Sequence, residues 1–270
     1  MSNLSLSKKE LPSSKFKRKS TVFLIALSIF LFLSYLLNFN PILLIQDFDQ
    51  IIDMATEMLP PRISVVWSRP RILSSLAETF AMSFLGSIIG CGFAFLLALL
   101  SAKTTAPLKW LSPIIKFFLS IERVVPSLII LLFFLIAVGL GPFAATLAIA
   151  MGTIGTFGKL FKDNLEQIEK GQIDGLKLTG ASHLQVIRYA IIPQATPSLV
   201  SNAFYAFDVN MRRAVALGIF GGGGIGYELH IFMKTLNYKS AMGIIVLIIV
   251  LIALLEKISD FLRQTIIGKE

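Results

Sequence analysis

Long apolar stretches, separated by short segments that carry charges or helix breakers, dominate the hydropathy pattern of this chain. An α-helix needs about 20 apolar residues to cross the hydrocarbon core of a membrane. Six stretches fit that requirement, so we predict an all-α polytopic membrane protein with six transmembrane helices. The predicted spans are Thr21–Phe39, Leu76–Leu100, Pro113–Val138, a fourth that starts near Phe143, Pro197–Phe220 and Ser240–Leu255.

Breakers and charged segments divide the chain further. The sequence GLGP at Gly139–Pro142 predicts a tight turn between the third and fourth spans. The segment before the second span carries spaced acidic residues and then two prolines, which indicates an interfacial helix and a linker. The predicted divisions are a basic tail at 1–20, a first transmembrane helix at 21–39, an extracytoplasmic amphipathic segment and linker at 40–72, a transmembrane core at 73–262 with a cytoplasmic loop at 159–193, and a tail at 263–270.

Composition agrees with a membrane protein, and charge sets its orientation. Of the 270 residues, 55% are hydrophobic and 15% are charged, and the mean hydropathy of +0.77 excludes a water-soluble domain. With both termini inside, the inner segments hold 16 of the 25 lysine and arginine residues and the outer segments hold five. Because basic residues favour the cytoplasmic side, we predict that both termini are cytoplasmic. The same placement explains the net charge of +9 without a nucleic-acid partner.

Cysteine and histidine provide no metal or catalytic site. Cys91, the single cysteine, lies in an apolar run, and we interpret it as a packing residue. Nothing in the sequence pairs His183 with His230. A membrane-embedded enzyme would need a nucleophile, a base and a metal cluster within the spans. We therefore predict no covalent chemistry and no cofactor bound by this chain.

The fifth predicted span carries polar residues in its middle. An uncompensated charge there costs about 2.5–3.5 kcal/mol, so these side chains must face a protein interior or a wet path. Asp208 and Arg212 are four residues apart and can pair on one helix face. Two interpretations stay open: an internal ion pair, or a translocation path lined by Asp208, Asn210 and Arg212. Arg123 on the third span either joins that path or reaches to the cytoplasmic interface.

The predicted cytoplasmic loop contains two short amphipathic helices. They are predicted at Leu165–Leu176 and Ser182–Ala190. Gly180 and Ala181 separate them, and Ser182 can cap the second helix. Leu184 offers an apolar contact on the second helix. Such a helix pair is either a contact site for a cytoplasmic partner or an interfacial element with no partner.

The sequence of this loop resembles the coupling loop of bacterial ABC importer permeases. The stretch DGLKLTGASHLQVIRYAIIP, Asp174–Pro193, has the acid, the glycine and the final proline of the family at the family's spacing. Gly175 and Leu176 stand where the family has two alanines. The resemblance implies that the loop contacts a cytoplasmic ATPase. The implied contact residues are Asp174, Gly180, Ala181, Ser182, Leu184 and Pro193.

A second stretch resembles the phosphonate-type branch of the same permeases. DVNMRRA, Asp208–Ala214, precedes six glycines within nine positions, and VGLGPFAATLAIA and GKLF are similar to the same branch. This likeness covers about Leu73–Phe261, although Arg213 replaces the small residue that is usual there. So much glycine is incompatible with a regular helix, which predicts a gate or re-entrant turn. The predicted turn residues are Gly221, Gly222, Gly223, Gly224 and Gly226.

The resemblance implies a type I ABC importer permease in the bacterial inner membrane. It implies two cytoplasmic ATPase subunits that bind ATP and magnesium, a second permease copy or close relative, and an extracytoplasmic solute-binding protein. It also implies that the cargo is a phosphonate or a related phosphorus oxyanion. The alternatives are a permease for a different small solute, a membrane-embedded enzyme, or a membrane scaffold with no cargo.

Overall fold

In a computed structural model of the chain, the structure describes residues 12–39 and 46–268. Parts of the predicted basic tail (1–11), of the predicted linker (40–45) and of the C-terminal tail (269–270) lie outside the described residues. The described segments are helical, with no strand among them. The helices are α1 Pro12–Leu36, α2 Phe48–Met58, α3 Val65–Ser68, α4 Arg71–Ser101, α5 Leu111–Val124, α6 Ser127–Val138, α7 Pro142–Glu166, α8 Lys170–Leu178, α9 His183–Val186, α10 Ile192–Leu217, α11 Gly224–Lys234 and α12 Tyr238–Ile267.

The chain divides into two compact units, Met1–Thr56 and Glu57–Glu270. Helix α1 of the first unit has apolar side chains that are exposed throughout its hydrophobic part, as a helix surrounded by lipid would have. The second unit contains a bundle of long apolar helices with its own buried core. We refer to this bundle as the core.

Six membrane crossings fit the described helices. Four helices are each long and apolar enough to span a membrane: the hydrophobic part of α1, and α4, α7 and α12. Two bent pairs meet the same test together, α5 with α6 and the segment His183–Gly222 with α11. If each bent pair is one crossing, the helices correspond to the six predicted spans.

The third span is interrupted, and our prediction of a single helix over Pro113–Val138 is wrong. Helices α5 and α6 meet at an angle of 92°. Val125 is extended between them, with φ −75° and ψ 120°, and Pro126 follows. A proline disfavours helical backbone in the residue before it and has no N–H to donate, so the chain turns at this dipeptide.

Helix α7 lies at the centre of the core, where it packs against α4, α5, α6 and α10. Three glycines at intervals of three residues line one side of α7. A Cβ at Gly158 would lie 2.8 Å from Leu119 of α5, and a Cβ at Gly155 would coincide with the carboxylate of Glu122. At Gly152 the neighbour is Ser127 of α6, 3.1 Å away. Small residues at this spacing allow the broken third span to approach α7 closely.

Polar contacts distinguish the two ends of the core. At one end, the α4–α5 loop meets the end of α7, where Lys103 N–H donates to Glu166 over 2.9 Å and the Thr104 hydroxyl donates to the Leu165 carbonyl over 2.9 Å. At the other end, Gly141 N–H donates to the Gly221 carbonyl over 3.1 Å. We call these the loop end and the glycine-turn end.

Candidate functional site

The predicted coupling loop forms an exposed tip at the loop end of the core. Its first helix is α8, five residues later than predicted at its start, because Glu166 still belongs to α7. Gly180 follows with φ +81°, a left-handed conformation that glycine adopts without strain. Ser182 caps α9 as predicted: its side chain and that of Gln185 each accept a backbone hydrogen bond from the other residue.

The second predicted helix, Ser182–Ala190, does not end at Ala190. Helix α9 is followed by the π-helical turn Ile187–Ile191, which continues into α10. Pro193 therefore lies just after the π-helical turn, within continuous helical structure, instead of ending the loop. Because α10 begins at Ile192, the fifth span starts five residues before the predicted Pro197.

The tip is exposed on one side and anchored on the other. Leu178 is 90% exposed and Leu184 is 76% exposed, although both are large apolar residues. On the inner side, Ile173 and Val186 are buried in a cluster with the end of α7. His183 Nε2 lies 3.2 Å from the Thr105 carbonyl of the α4–α5 loop. The remaining predicted coupling residues, Asp174, Ala181 and Pro193, are exposed or half-buried on the same tip.

Asn210 lies in the interior of the core, where it joins three long helices. It is fully buried, and its side-chain NH₂ donates to the hydroxyls of Ser87 on α4 and Thr153 on α7, each over 2.9 Å. Its carbonyl oxygen accepts a hydrogen bond from Arg213 Nη1 over 3.2 Å. Each buried polar atom of this amide thus has a partner, as burial requires.

Arg212 does not pair with the carboxylate of Asp208, so the ion pair inferred from their spacing is not formed. The Arg212 guanidinium makes a salt bridge to Glu256 of α12 and donates to the backbone carbonyl of Asp208 over 3.3 Å. The Asp208 carboxyl group is hydrogen-bonded to Ser259 of α12, and the charges of Arg212 and Glu256 act on it without a direct ion pair. Asp208 and Arg212 therefore both face α12, on the side of α10 opposite to Asn210.

Arg123 lies at the end of α5, exposed and outside the interior cluster. Its neighbour Glu122 is buried, and neither carboxylate oxygen has a hydrogen-bond partner among the described side chains and backbone. Arg213 supplies a positive charge close to Glu122 across the interface of the broken third span with α10. The sequence analysis did not place Glu122 and Arg213 together. The glycines at every third residue of α7 could have located them, because Gly155 leaves space for the Glu122 carboxylate and Gly152 lies close to Arg213.

The glycines Gly221–Gly224 form a turn at the glycine-turn end, between α10 and α11. Gly221, Gly223 and Gly224 have φ values of +99°, +79° and +66°. A Cβ at Gly223 would lie 2.9 Å from Pro142 of the opposing turn. Gly226 contacts the backbone of α10, which also leaves no space for a side chain. The predicted interruption of helical structure is therefore present at these residues.

The described residues contain no group of three or more histidine, cysteine, aspartate and glutamate side chains that could hold a metal ion. Cys91 is partly buried and belongs to the packing around the core cluster of α4 and α7. The polar residues of the core thus form hydrogen bonds and ion pairs between helices.

The chain belongs to a family of transport permeases, the binding-protein-dependent transport system inner membrane components, whose family model matches residues 94–267. It is the permease component of an ABC importer, and its helices have the type I importer architecture.

Several curated relatives are similar over most of the chain. The permease protein HtxC, named for a phosphite transport system of Stutzerimonas stutzeri, is 35% identical over 78% of this chain and 74% of its own length. The phosphite transport permease PtxC of the same organism is 31% identical over 82% of this chain and 79% of its own length. The phosphate-import permease PhnE of Mycolicibacterium smegmatis is 32% identical over 86% of this chain but only 43% of its own length.

Solved structures share the fold at lower identity. The inward-facing MetNI methionine ABC transporter aligns with a TM-score of 0.63 and 22% identity over 72% of this chain and 95% of the solved chain. A bacterial ABC transporter that imports the polysaccharide alginate aligns with a TM-score of 0.66 and 12% identity over 95% of this chain and 99% of the solved chain. At these identities the likeness concerns the fold alone.

Proposed function

We propose that this permease imports a phosphonate or a related phosphorus oxyanion, such as phosphite, across the bacterial inner membrane. The observation that carries its role as a driven subunit is the exposed, anchored tip around Gly180, which leads into the long helical segment that begins at His183 and contains α10. The cargo is supported by the names of the relatives HtxC, PtxC and PhnE. An anionic cargo also fits the basic residues near the glycine-turn end, which are Arg62, Arg69, Arg71, Lys234 and Lys239.

The proposed partners follow from this role. Two cytoplasmic ATPase subunits, which bind ATP and magnesium, dock on the tip, where Leu178 and Leu184 offer exposed apolar surface. A second copy of the chain or a close relative completes the pathway, and an extracytoplasmic solute-binding protein delivers cargo to the glycine-turn end. Both termini are cytoplasmic in this arrangement, as the distribution of lysine and arginine predicts.

The proposed path residues differ in how their surroundings support that role. Asp208 and Arg212 lie on a side of α10 that is partly exposed in the single chain, which suits a path completed by a second subunit. Arg123 is exposed and free to take part. Asn210 has all of its side-chain atoms engaged, so its contribution is to hold α10 against α4 and α7. The glycine turn closes the path at the outer end.

The coupling proposal is tested by placing a charge on the tip. Leu184→Asp should lower ATP-driven uptake at least tenfold in proteoliposomes that contain the permease, its ATPase and its binding protein. A buried apolar contact with the ATPase would be replaced by an uncompensated carboxylate, which is unfavourable. The matched control is Leu184→Met, which keeps an exposed apolar side chain at the same position of the tip. Equal uptake by both variants would contradict the proposed docking site.

The cargo is tested in the same proteoliposomes with labelled phosphite, methylphosphonate, phosphate and sulfate, each supplied with the binding protein. We expect ATP-dependent uptake of at least one phosphorus oxyanion and none of sulfate. Uptake of none of the three phosphorus compounds, in a preparation whose ATPase is active, would reject the proposed cargo and leave the permease role in place.

A further inference from the structure

Three polar contacts tie α4 to α11 at the glycine-turn end. The carboxylate of Glu78 accepts a hydrogen bond from Gly224 N–H over 3.2 Å, and the hydroxyl of Thr79 accepts one from Ile225 N–H over 2.8 Å. One helical turn later on α11, the buried carboxylate of Glu228 pairs with Arg71 over 3.1 Å. We call Glu78, Thr79 and the Arg71–Glu228 pair the latch.

The latch supplies partners that α11 lacks by itself. The first N–H groups of an α-helix have no acceptor within the helix, and a negative charge at that end is favourable. The capping residue before α11 is Gly223, which has no side chain to accept them. Glu78 and Thr79 therefore cap this helix from α4, a helix about 145 residues away in sequence.

The glycine turn faces both the opposing turn and α4. Its backbone packs closely, since a Cβ at Gly223 would lie 2.9 Å from Pro142, and the opposing turn is joined to it by the single described backbone hydrogen bond from Gly141 to Gly221. A cavity of about 250 Å³ lies where the two turns face α4. Arg71, Glu78 and Tyr227 line this cavity together with both turns. Releasing the latch would remove the polar contacts between α4 and α11 beside the cavity and allow it to widen.

Helix α10 connects the coupling tip to the glycine turn. Helical backbone runs from His183 to Ile219, becomes non-helical at Phe220 and Gly221, and the chain bends by 56° into α11. A displacement of the tip is thus carried along α10 to the start of the glycine turn. Packed helices transmit such rigid displacements because their interiors resist compression.

We propose that the latch is an outer gate that must open in each transport cycle, with Glu78 as the positioning residue that holds the glycine turn closed. This inference rests on the proposed transport function. The contacts suit a reversible role, because Arg71 and Glu78 are exposed while Gly224, Ile225 and Glu228 are buried. Water can replace the exposed partners when the helices separate.

The first test measures opening directly and requires no cargo. A cysteine at Tyr227, in a chain with Cys91→Ser, is labelled with a hydrophilic maleimide in nanodiscs, where both faces of the full complex are accessible. The double change Glu78→Ala with Thr79→Val should raise the labelling rate at least threefold. Glu78→Gln should label within about twofold of the parent, because the amide oxygen still accepts from Gly224 N–H. A cysteine at Leu236, at the same end but outside the cavity, is the control that should not change.

The second test asks whether the latch has to move. Cysteines at Arg71 and Glu228 are joined by a short bifunctional thiosulfonate reagent, and ATP hydrolysis by the assembled complex is measured. Cross-linking should lower hydrolysis at least tenfold, and dithiothreitol should restore it. A contact that is merely structural would tolerate the cross-link.

The outcomes separate this proposal from the proposed cargo. Faster labelling together with a reversible block supports the latch, even if the complex transports no phosphorus oxyanion. An unchanged labelling rate in the Glu78 and Thr79 variant, or a cross-linked complex that hydrolyses ATP at the parent rate, overturns it. If the double variant fails to assemble, the cross-linked pair decides alone, because it leaves Glu78 and Thr79 intact.

Discussion

Replacing Asn210 with alanine tests whether this residue holds the core together or contacts cargo. In the structure its amide joins α10 to hydroxyls of α4 and α7, and its carbonyl oxygen is the described hydrogen-bond acceptor of Arg213. Alanine removes all three hydrogen bonds. The residue is 0% exposed, so no solvent replaces the lost partners without a rearrangement of the helices.

The size of the effect follows from the partners that are left behind. The hydroxyls of Ser87 and Thr153 donate to carbonyls of their own helices, so they lose a donor but keep their own acceptors. Hydrogen bonds between membrane helices contribute about 0.6 kcal/mol each. The bond from Arg213 is charged and contributes about 1.5–3 kcal/mol. We therefore expect Asn210→Ala to lower the free energy of unfolding by about 3–4 kcal/mol.

The assay is reversible unfolding of the detergent-solubilised permease by sodium dodecyl sulfate, followed by circular dichroism. A double-mutant cycle with Ser87→Ala should give a coupling energy near 0.6 kcal/mol. The matched control is Asn202→Ala, because Asn202 lies two turns earlier on α10 and its side chain makes no hydrogen bond with the described part of the chain. If Asn210→Ala changes stability by less than about 0.5 kcal/mol, as a surface substitution does, the packing role is wrong. Lost uptake with unchanged stability would instead favour a direct contact with cargo.

Two further predictions concern charge. Reversing the charge of either Arg212 or Glu256 alone should lower uptake at least tenfold, because an uncompensated charge in a span costs about 2.5–3.5 kcal/mol. Exchanging the two residues should recover uptake to within about threefold. An exchanged variant as inactive as the single changes would place Arg212 in contact with cargo. In intact cells, a cysteine at Lys170 should resist an impermeant maleimide whereas one at Asp49 should react, since the basic residues predict cytoplasmic termini; the reverse pattern would invert the topology.

Local sequence signals predicted the elements whose causes are local. Apolar length located the spans, and glycine content located the turn at Gly221–Gly224. Ser182 forms the cap that its position before α9 predicted. Each of these features depends on a few neighbouring residues, so a reading along the chain is sufficient. The bend after Val125 also has a local cause, Pro126, but the prediction from apolar length missed it.

Partners across the fold could not be inferred in this way. The four-residue spacing of Asp208 and Arg212 predicted a pair, but Arg212 bonds to Glu256, 44 residues away. Asn210 reaches hydroxyls that are 57 and 123 residues away. Serine and threonine in an apolar helix give no indication of which neighbour they face. Only the packing of α4, α7 and α10 brings these groups together.

The two irregular ends of α10 give this packing a mechanical consequence. A π-helical turn occurs at Ile187–Ile191, beside the coupling tip, and the backbone is non-helical at Phe220 and Gly221, beside the glycine turn. Such turns disturb the regular hydrogen-bond ladder and often lie at functional sites, so bending concentrates there. Between them, Asn210 fixes α10 to two neighbouring helices. Because Asn210 ties α10 to α4 and α7, a displacement at the tip moves these three helices together, and the proposed coupling to the glycine turn then passes through the irregular segment at Gly218–Gly222.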